Sequence, residues 1–395
     1  MRPPSDQVMD LPAITHYVES RKLHPDPELA RQQRERLRKI TIHNAMTTQE
    51  VRSQLDTEGK TDRIEYLPPS STEPHIWIPG AGELHVLNFR GNVRLIRDID
   101  QAIVLSGLCA SPVAISTEHH RGLARHASQR FRRFAFDLAD RILAETPPVP
   151  RGAQGTLDLL IGPHQSLDIR GTRTVAQQEN EYLNYRILRA GERTIINLDY
   201  IFADQALHVL SQLCSTLSAD TIDGRIGKTG VRVFHYGKIG LLRDDLRVGD
   251  ICVPYAAVDE SRIAEGDIHR SPIPNGLDPE CDPATAASFA CRIGTAPYRV
   301  VTVNSISVLR QRRHALEMAR DAGGDVIDME WAAMASLIHG AKSAYPGIGR
   351  LRYCFAGIGS DRPLAGETLG DTTYPTDHER VVAKAMLDLI KEGPR

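Results

Sequence analysis

Short apolar, partly β-branched runs recur along the carboxyl-terminal two thirds of the chain, separated by segments of mixed polarity. They lie at Thr156 to Ile161, Thr194 to Leu198, Val231 to Tyr236, Asp250 to Val258, Arg299 to Val303, Asp325 to Met329 and Arg352 to Ile358. Runs of this length that are largely apolar, rather than strictly alternating, predict strands buried on both faces. Their alternation with helical segments predicts an α/β domain.

The first 150 residues have a different pattern. In the stretch from Asp26 to Lys39, Arg, Gln and Glu outnumber the apolar residues, which predicts a helix that is solvated or packs on a subunit. Beyond the turn-forming Pro68, Pro69, Ser70 and Ser71, the runs His75 to Ile78 and Leu84 to Phe89 predict strands. A further helix is expected from about Thr117 to Ala144. Pro147, Pro148 and Pro150 then end it, because consecutive prolines withhold backbone donors, and mark a linker. The expected organisation is an N-terminal α+β accessory domain over 1–150 and a catalytic α/β domain over 151–395. The chain has no internal repeat and no low-complexity tract.

With 395 residues, 41% hydrophobic and 25% charged, the chain can bury a sizeable core. A formal charge of −2 gives no global attraction to nucleic acid or to an anionic membrane, so neither is expected as a partner. No apolar run is long enough to span a bilayer, and the amino terminus lacks the basic and then apolar pattern of a secretion signal. A cytoplasmic location is expected. The six cysteines show no C-x-x-C spacing and are expected as free thiols, with a Cys281–Cys291 disulfide the alternative that a cytoplasmic setting disfavours. Adjacent histidines on a helix point in different directions, so Glu118, His119 and His120 are not expected to bind metal. The basic run Arg121, Arg125, His126, Arg130, Arg132 and Arg133 reads first as a solvated face, with a phosphate or a neighbouring subunit as the functional alternative.

Three segments carry candidate chemistry. In Phe234 to Leu242, Gly237, Lys238 and Gly240 follow a strand; a turn at the glycines would let backbone amides approach a phosphate or ribose oxygen. In Gly324 to Ala335, Glu330 follows an apolar strand, where ligands bind in open α/β sheets, and its two oxygens suit a vicinal diol; the alternative is that Glu330 caps the helix beginning at Trp331. In Tyr353 to Glu367, Asp361 follows a buried strand and is either a proton donor with a raised pKa or an exposed turn former.

Taken in order, these segments resemble the nucleoside phosphorylase and nucleosidase superfamily. The glycines lead into Val248-Gly249-Asp250-Ile251-Cys252-Val253-Pro254, similar to that superfamily's "vGDivvp" strand; Met329-Glu330 is similar to its "MEa" segment, and Ser360-Asp361 to its "SD" loop. Ser360 to Glu367 and Ile327 to Glu330 most resemble AMP nucleosidase. The resemblance implies a three-layer α/β/α sandwich around a mixed central sheet, preceded by the N-terminal α+β segment. It implies hydrolysis of the N-glycosidic bond of a purine nucleotide or nucleoside, with phosphorolysis by inorganic phosphate and a turnover-free nucleotide sensor as the alternatives.

By the same resemblance Glu330 holds the ribose hydroxyls, Met329 packs on the sugar, and Asp361 protonates the departing base beside Ser360. Asn304, Ser305 and Ile306 occupy the base-binding loop. No metal or organic cofactor is implied, and a homo-oligomer is expected. The chain departs from the pattern at Lys238, where phosphorylases have serine and AMP nucleosidase histidine. It departs also at Asn197 to Phe202, where the superfamily has a glycine-rich turn, and at Asn304 to Ile306, where an aromatic residue is frequent.

Overall fold

The computed structural model describes residues 11–393 apart from 45–47, 61–64, 68–74, 89–91, 119–132, 134–135, 142–143, 146–154, 179–183, 192, 200–202, 223–228, 260–262, 264–269, 306–312 and 367–375. The described elements fall into two compact units, one running from α1 to β5 and the other from β6 to α9.

The first unit contains helices α1 (Leu11–Lys22), α2 (Pro27–Arg36), α3 (Thr48–Thr57) and α4 (Asn92–Leu108). Its strands are β1 (Lys39–Asn44), β2 (Glu65–Leu67), β3 (His75–Ile78), β4 (Glu83–Asn88) and β5 (Ala114–Glu118), in the order β2-β3-β4-β1-β5. The charged helix appears where its composition placed it. Asp26 caps it through the amides of Glu28 and Leu29, Pro27 starts it, and it stops at Arg36 rather than Lys39 because Leu37 is extended and Lys39 opens β1. On β1, Ile40 and Ile42 bury into a core with Val18 of α1, Ala30 of α2 and Leu105 of α4. The intervening Thr41 and His43 face polar groups instead: Thr41 meets Ser116, and His43 meets His85 at 2.8 Å. The helix expected from Thr117 begins instead as strand β5. Its Ile115 and Thr117 are β-branched, and it pairs with β1 in parallel. Residues 136–141 are helical, whereas most of the basic run and His119 and His120 lie outside the described residues.

The second unit is mixed α/β around one mixed sheet. Its strands are β6 (Gly155–Ile161), β7 (Arg173–Gln178), β8 (Tyr185–Ala190), β9 (Arg193–Leu198), β10 (Thr229–Leu241), β11 (Ile251–Asp259), β12 (Ser271–Pro272), β13 (Tyr298–Asn304), β14 (Val326–Asp328) and β15 (Ile348–Asp361). Its helices are α5 (Ala203–Ile222), α6 (Pro283–Ile293), α7 (Arg313–Asp321), α8 (Trp331–Ala344) and α9 (Thr376–Glu392). Every apolar run singled out in this half of the chain is a strand; β10 and β15 extend well beyond theirs. The β7–β8 hairpin has no such run to announce it, being rich in Arg, Gln and Thr.

Strand order runs β12-β11-β13-β14-β10-β6-β9-β8-β7, and β15 pairs with both β10 and β11. Five strands therefore close a ring: β11 is parallel to β13 and β13 to β14, β14 is antiparallel to β10, β10 is parallel to β15, and β15 is antiparallel to β11. Closure leaves these strands without free edges. Along β15, Cys354, Ala356 and Ile358 join the core built with Val382 and Met386 of α9, while Phe355 stacks on Trp331 of α8. Alternation thus places α8 and α9 on opposite faces of this strand. All six cysteines are free. Among the described residues, no helix is long and apolar enough to cross a membrane.

Candidate active site

The ends of β13 and β14 lie side by side. Asn304 pairs with Asp328 across the two strands, and the Ser305 amide donates to the Asp328 carbonyl at 2.8 Å. Asp328 Oδ1 then accepts the amides of Glu330 at 2.8 Å and Trp331 at 2.6 Å. Asp328, not Glu330, is therefore the cap at the start of α8, and the backbone turns so that Glu330 is buried at 5% exposure just past the strand. The bland expectation for Glu330 is thus filled by its neighbour. Asn304 Oδ1 and Ser305 Oγ are also buried and make no hydrogen bond among the described residues. Buried polar atoms without partners cost free energy, which a ligand offering donors would recover. Met329 is half-buried beside them, and Ile306 lies outside the described residues.

Strand β10 passes between the ends of β14 and β15. Gly240 pairs with Ile327 on one side and Asp361 on the other. The expected turn at the glycines is absent, because β10 continues through Gly237, Lys238 and Gly240 to Leu241. At Gly240 the missing side chain serves packing instead. A Cβ there would sit 2.6 Å from Ile327 Cγ2 and 3.7 Å from Asp361 Oδ2. Strand alternation puts the half-buried Lys238 on the same face as Gly240.

Asp361 reaches that place through a bulge. Ile239 pairs with Gly359 but Gly240 pairs with Asp361, so Ser360 is the extra residue and Asp361 turns to the face it would otherwise avoid. Ser360 Oγ lies 3.0 Å from the Ile239 carbonyl and within hydrogen-bonding distance of Asp361 Oδ1. Asp361 is 4% exposed, so it is a buried strand-end carboxyl and not an exposed turn former.

Two further residues line the β10–β15 pair and carry no signal in the sequence, because their contact joins positions 118 apart. His235 Nδ1 and Tyr353 Oη are 3.0 Å apart and fully enclosed. Burial pulls the His235 imidazole down to about 4, so it is neutral at physiological pH. Burial, and then the charges of Asp328 and Glu330, push the Tyr353 phenol well above its usual range. At the other end of the β6 strand, Ser166 donates to Glu379 of α9, and Glu379 Oε1 is buried without a partner. Where the superfamily has a glycine turn, Asn197 instead donates to the Leu160 carbonyl, and Asp199 accepts the His164 amide. Among the described residues no group of three or more His, Cys, Asp or Glu is placed to hold a metal ion.

Residues 225–351 match the family model described as the phosphorylase superfamily, and this part of the chain belongs to that superfamily. Among solved structures, the chain is similar to the S-adenosylhomocysteine nucleosidase of Streptococcus pyogenes, at 15% identity over 62% of this chain and 100% of that one, with a TM-score of 0.43. It is similar to the futalosine hydrolase of Helicobacter pylori, at 13% identity over 60% and 98%, with a TM-score of 0.43. A third likeness is to the purine nucleoside phosphorylase of Toxoplasma gondii, at 17% identity over 60% and 91%, with a TM-score of 0.40. No curated protein matches the chain in sequence.

Proposed function

We propose that the second unit cleaves the N-glycosidic bond of a purine nucleotide or nucleoside by hydrolysis, in the manner of AMP nucleosidase. In this reading Glu330 and Met329 hold the sugar, Asn304, Ser305 and Ile306 meet the base, and Asp361 protonates it as it leaves. Gly237, Lys238 and Gly240 line the floor, and Lys238 offers a point charge to a substrate phosphate. Cleavage develops positive charge on the sugar and negative charge on the base, so a carboxyl group at each end lowers the barrier.

The observation that carries the reading is the bulge at Ser360. A serine hydroxyl has one proton, and two acceptors compete for it here. Donation to the Ile239 carbonyl leaves the serine lone pair free to accept from a protonated Asp361, which is the state a general acid needs. The superfamily match over 225–351 supports the same chemistry. The reading also carries the three-layer arrangement of the sheet and helices, a domain division at 150/151, a cytoplasmic homo-oligomer, and independence of metal and organic cofactors.

A screen of nucleosides and nucleotides for released base, run with and without inorganic phosphate, tests the proposal. Free base and free sugar without phosphate are expected. Sugar 1-phosphate formed only when phosphate is present would replace hydrolysis by phosphorolysis. Tight nucleotide binding, seen as a thermal shift, with no base released would leave a sensor.

A further inference from the structure

Two carboxyl groups that hydrogen bond to each other need a proton between them. Asp328 and Glu330 form such a pair, with their side chains hydrogen bonded and both residues at or below 6% exposure. Asp328 Oδ1 already holds the amides of Glu330 and Trp331. Those donors favour the Asp328 anion, which leaves the shared proton to Glu330. We propose that Asp328 is a positioning residue for the cleavage reaction: it accepts a hydrogen bond from a protonated Glu330 and fixes that carboxyl group at the sugar end of the site as a pair of net charge −1. The inference rests on the reading of Glu330 as the sugar-holding residue.

The alternative, two ionised carboxylates side by side, would place like charges in contact where water is excluded. Such pairs retain a proton instead, and they titrate as a unit. Burial pushes the Asp328 carboxyl up, while the amides of Trp331, Glu330 and Met329 pull it down. The surrounding elements add little that would ionise the pair. From β15, Tyr353 presents a phenol that keeps its proton; from β10, His235 is neutral; and from β13, Asn304 and Ser305 bring no charge. One proton therefore stays with the pair through neutrality and leaves only in the alkaline range. A single negative charge remains to face the developing cation on the sugar.

The test uses the full chain with carboxyl carbons of Asp and Glu labelled for NMR. One carboxyl resonance is expected to report a protonated group at pH 7 in the wild type, and to vanish in both Glu330→Gln and Asp328→Asn. In Asp328→Asn the amide oxygen keeps the helix cap, and the amide nitrogen donates to an ionised Glu330, so no proton is needed. Absence of such a resonance from the wild type, or its persistence in Asp328→Asn, overturns the proposal.

With a cleaved substrate in hand, Asp328→Ala is expected to raise KM roughly ten- to a hundredfold, the equivalent of losing a hydrogen bond to a charged group. Asp328→Asn should rescue most of that loss while removing the alkaline limb of the pH profile. A purely structural cap would be rescued with the pH profile unchanged, and that result also overturns the proposal. If no nucleoside or nucleotide is cleaved although the shared proton is found, the cleavage reading falls, and with it the role of Asp328 in catalysis, while the pair itself stands.

Discussion

The ends of β14 and β15 each deliver a buried carboxyl group, and they do so by different means. At β14 the placement is local. Asp328 caps the helix two and three residues ahead, and Glu330 is carried into position by hydrogen bonds that span no more than three residues. At β15 the placement is long-range. Asp361 depends on a one-residue register shift against β10 and on Gly240, 121 positions earlier, having no side chain. A locally built site survives changes elsewhere in the fold; one built from register does not.

This contrast can be broken most sharply at the acid itself. Asp361→Asn removes the proton donor but keeps the shape, so base release should fall about a hundred- to ten-thousandfold while nucleotide binding, read by calorimetry, is largely kept. Turnover equal to the wild type would remove Asp361 from the reaction.

The next effect is one of pH on stability. The folded-state pKa of His235 lies at about 4, below the usual value of 6.5, so the unfolded chain binds more protons between those limits. Stability contributed by the neutral ring is complete above pH 6.5 and is lost as pH falls toward 4, by roughly 3 kcal/mol at 1.36 kcal/mol per unit. Denaturant midpoints should track that loss in the wild type and show much less of it in His235→Gln. Equal slopes in the two proteins would mean that the loss comes from other groups.

Gly240→Val places carbon where Ile327 already stands, and should cost about 1–3 kcal/mol by overpacking. Because Asp361 pairs with the same residue, activity should fall further than stability does. A variant that is destabilised but fully active would show that the β15 end tolerates displacement. The smallest expected effect is that of Ser360→Ala, about 1 kcal/mol for one hydrogen bond, with an altered acid limb in the pH profile of base release. An unaltered limb would separate the bulge from the proton.

Much of the second unit was legible because its strands are buried on both faces and so read as unbroken apolar runs. The β7–β8 hairpin, with its polar residues, and β1, which alternates Ile with Thr and His, gave no such signal. The carboxyl groups at Glu330 and Asp361 were legible as polar residues following apolar strands. The glycines of β10 were legible as special, but the turn expected of them was not formed. Nothing local distinguishes a glycine that turns the chain from one that admits a neighbour's methyl group.

By itself the sequence determined an α/β pattern, the acids at the ends of two strands, and the superfamily that residues 225–351 match, since each depends on residues close together in the chain. The tertiary structure decided the closure of five strands into a ring, the face to which Asp361 turns, the meeting of His235 with Tyr353, and the choice of Asp328 over Glu330 as the helix cap. The first three depend on pairings between distant segments, whose register no local pattern fixes. The last depends on which of two nearby carboxyl groups the backbone amides can reach, a matter of a single turn of backbone geometry.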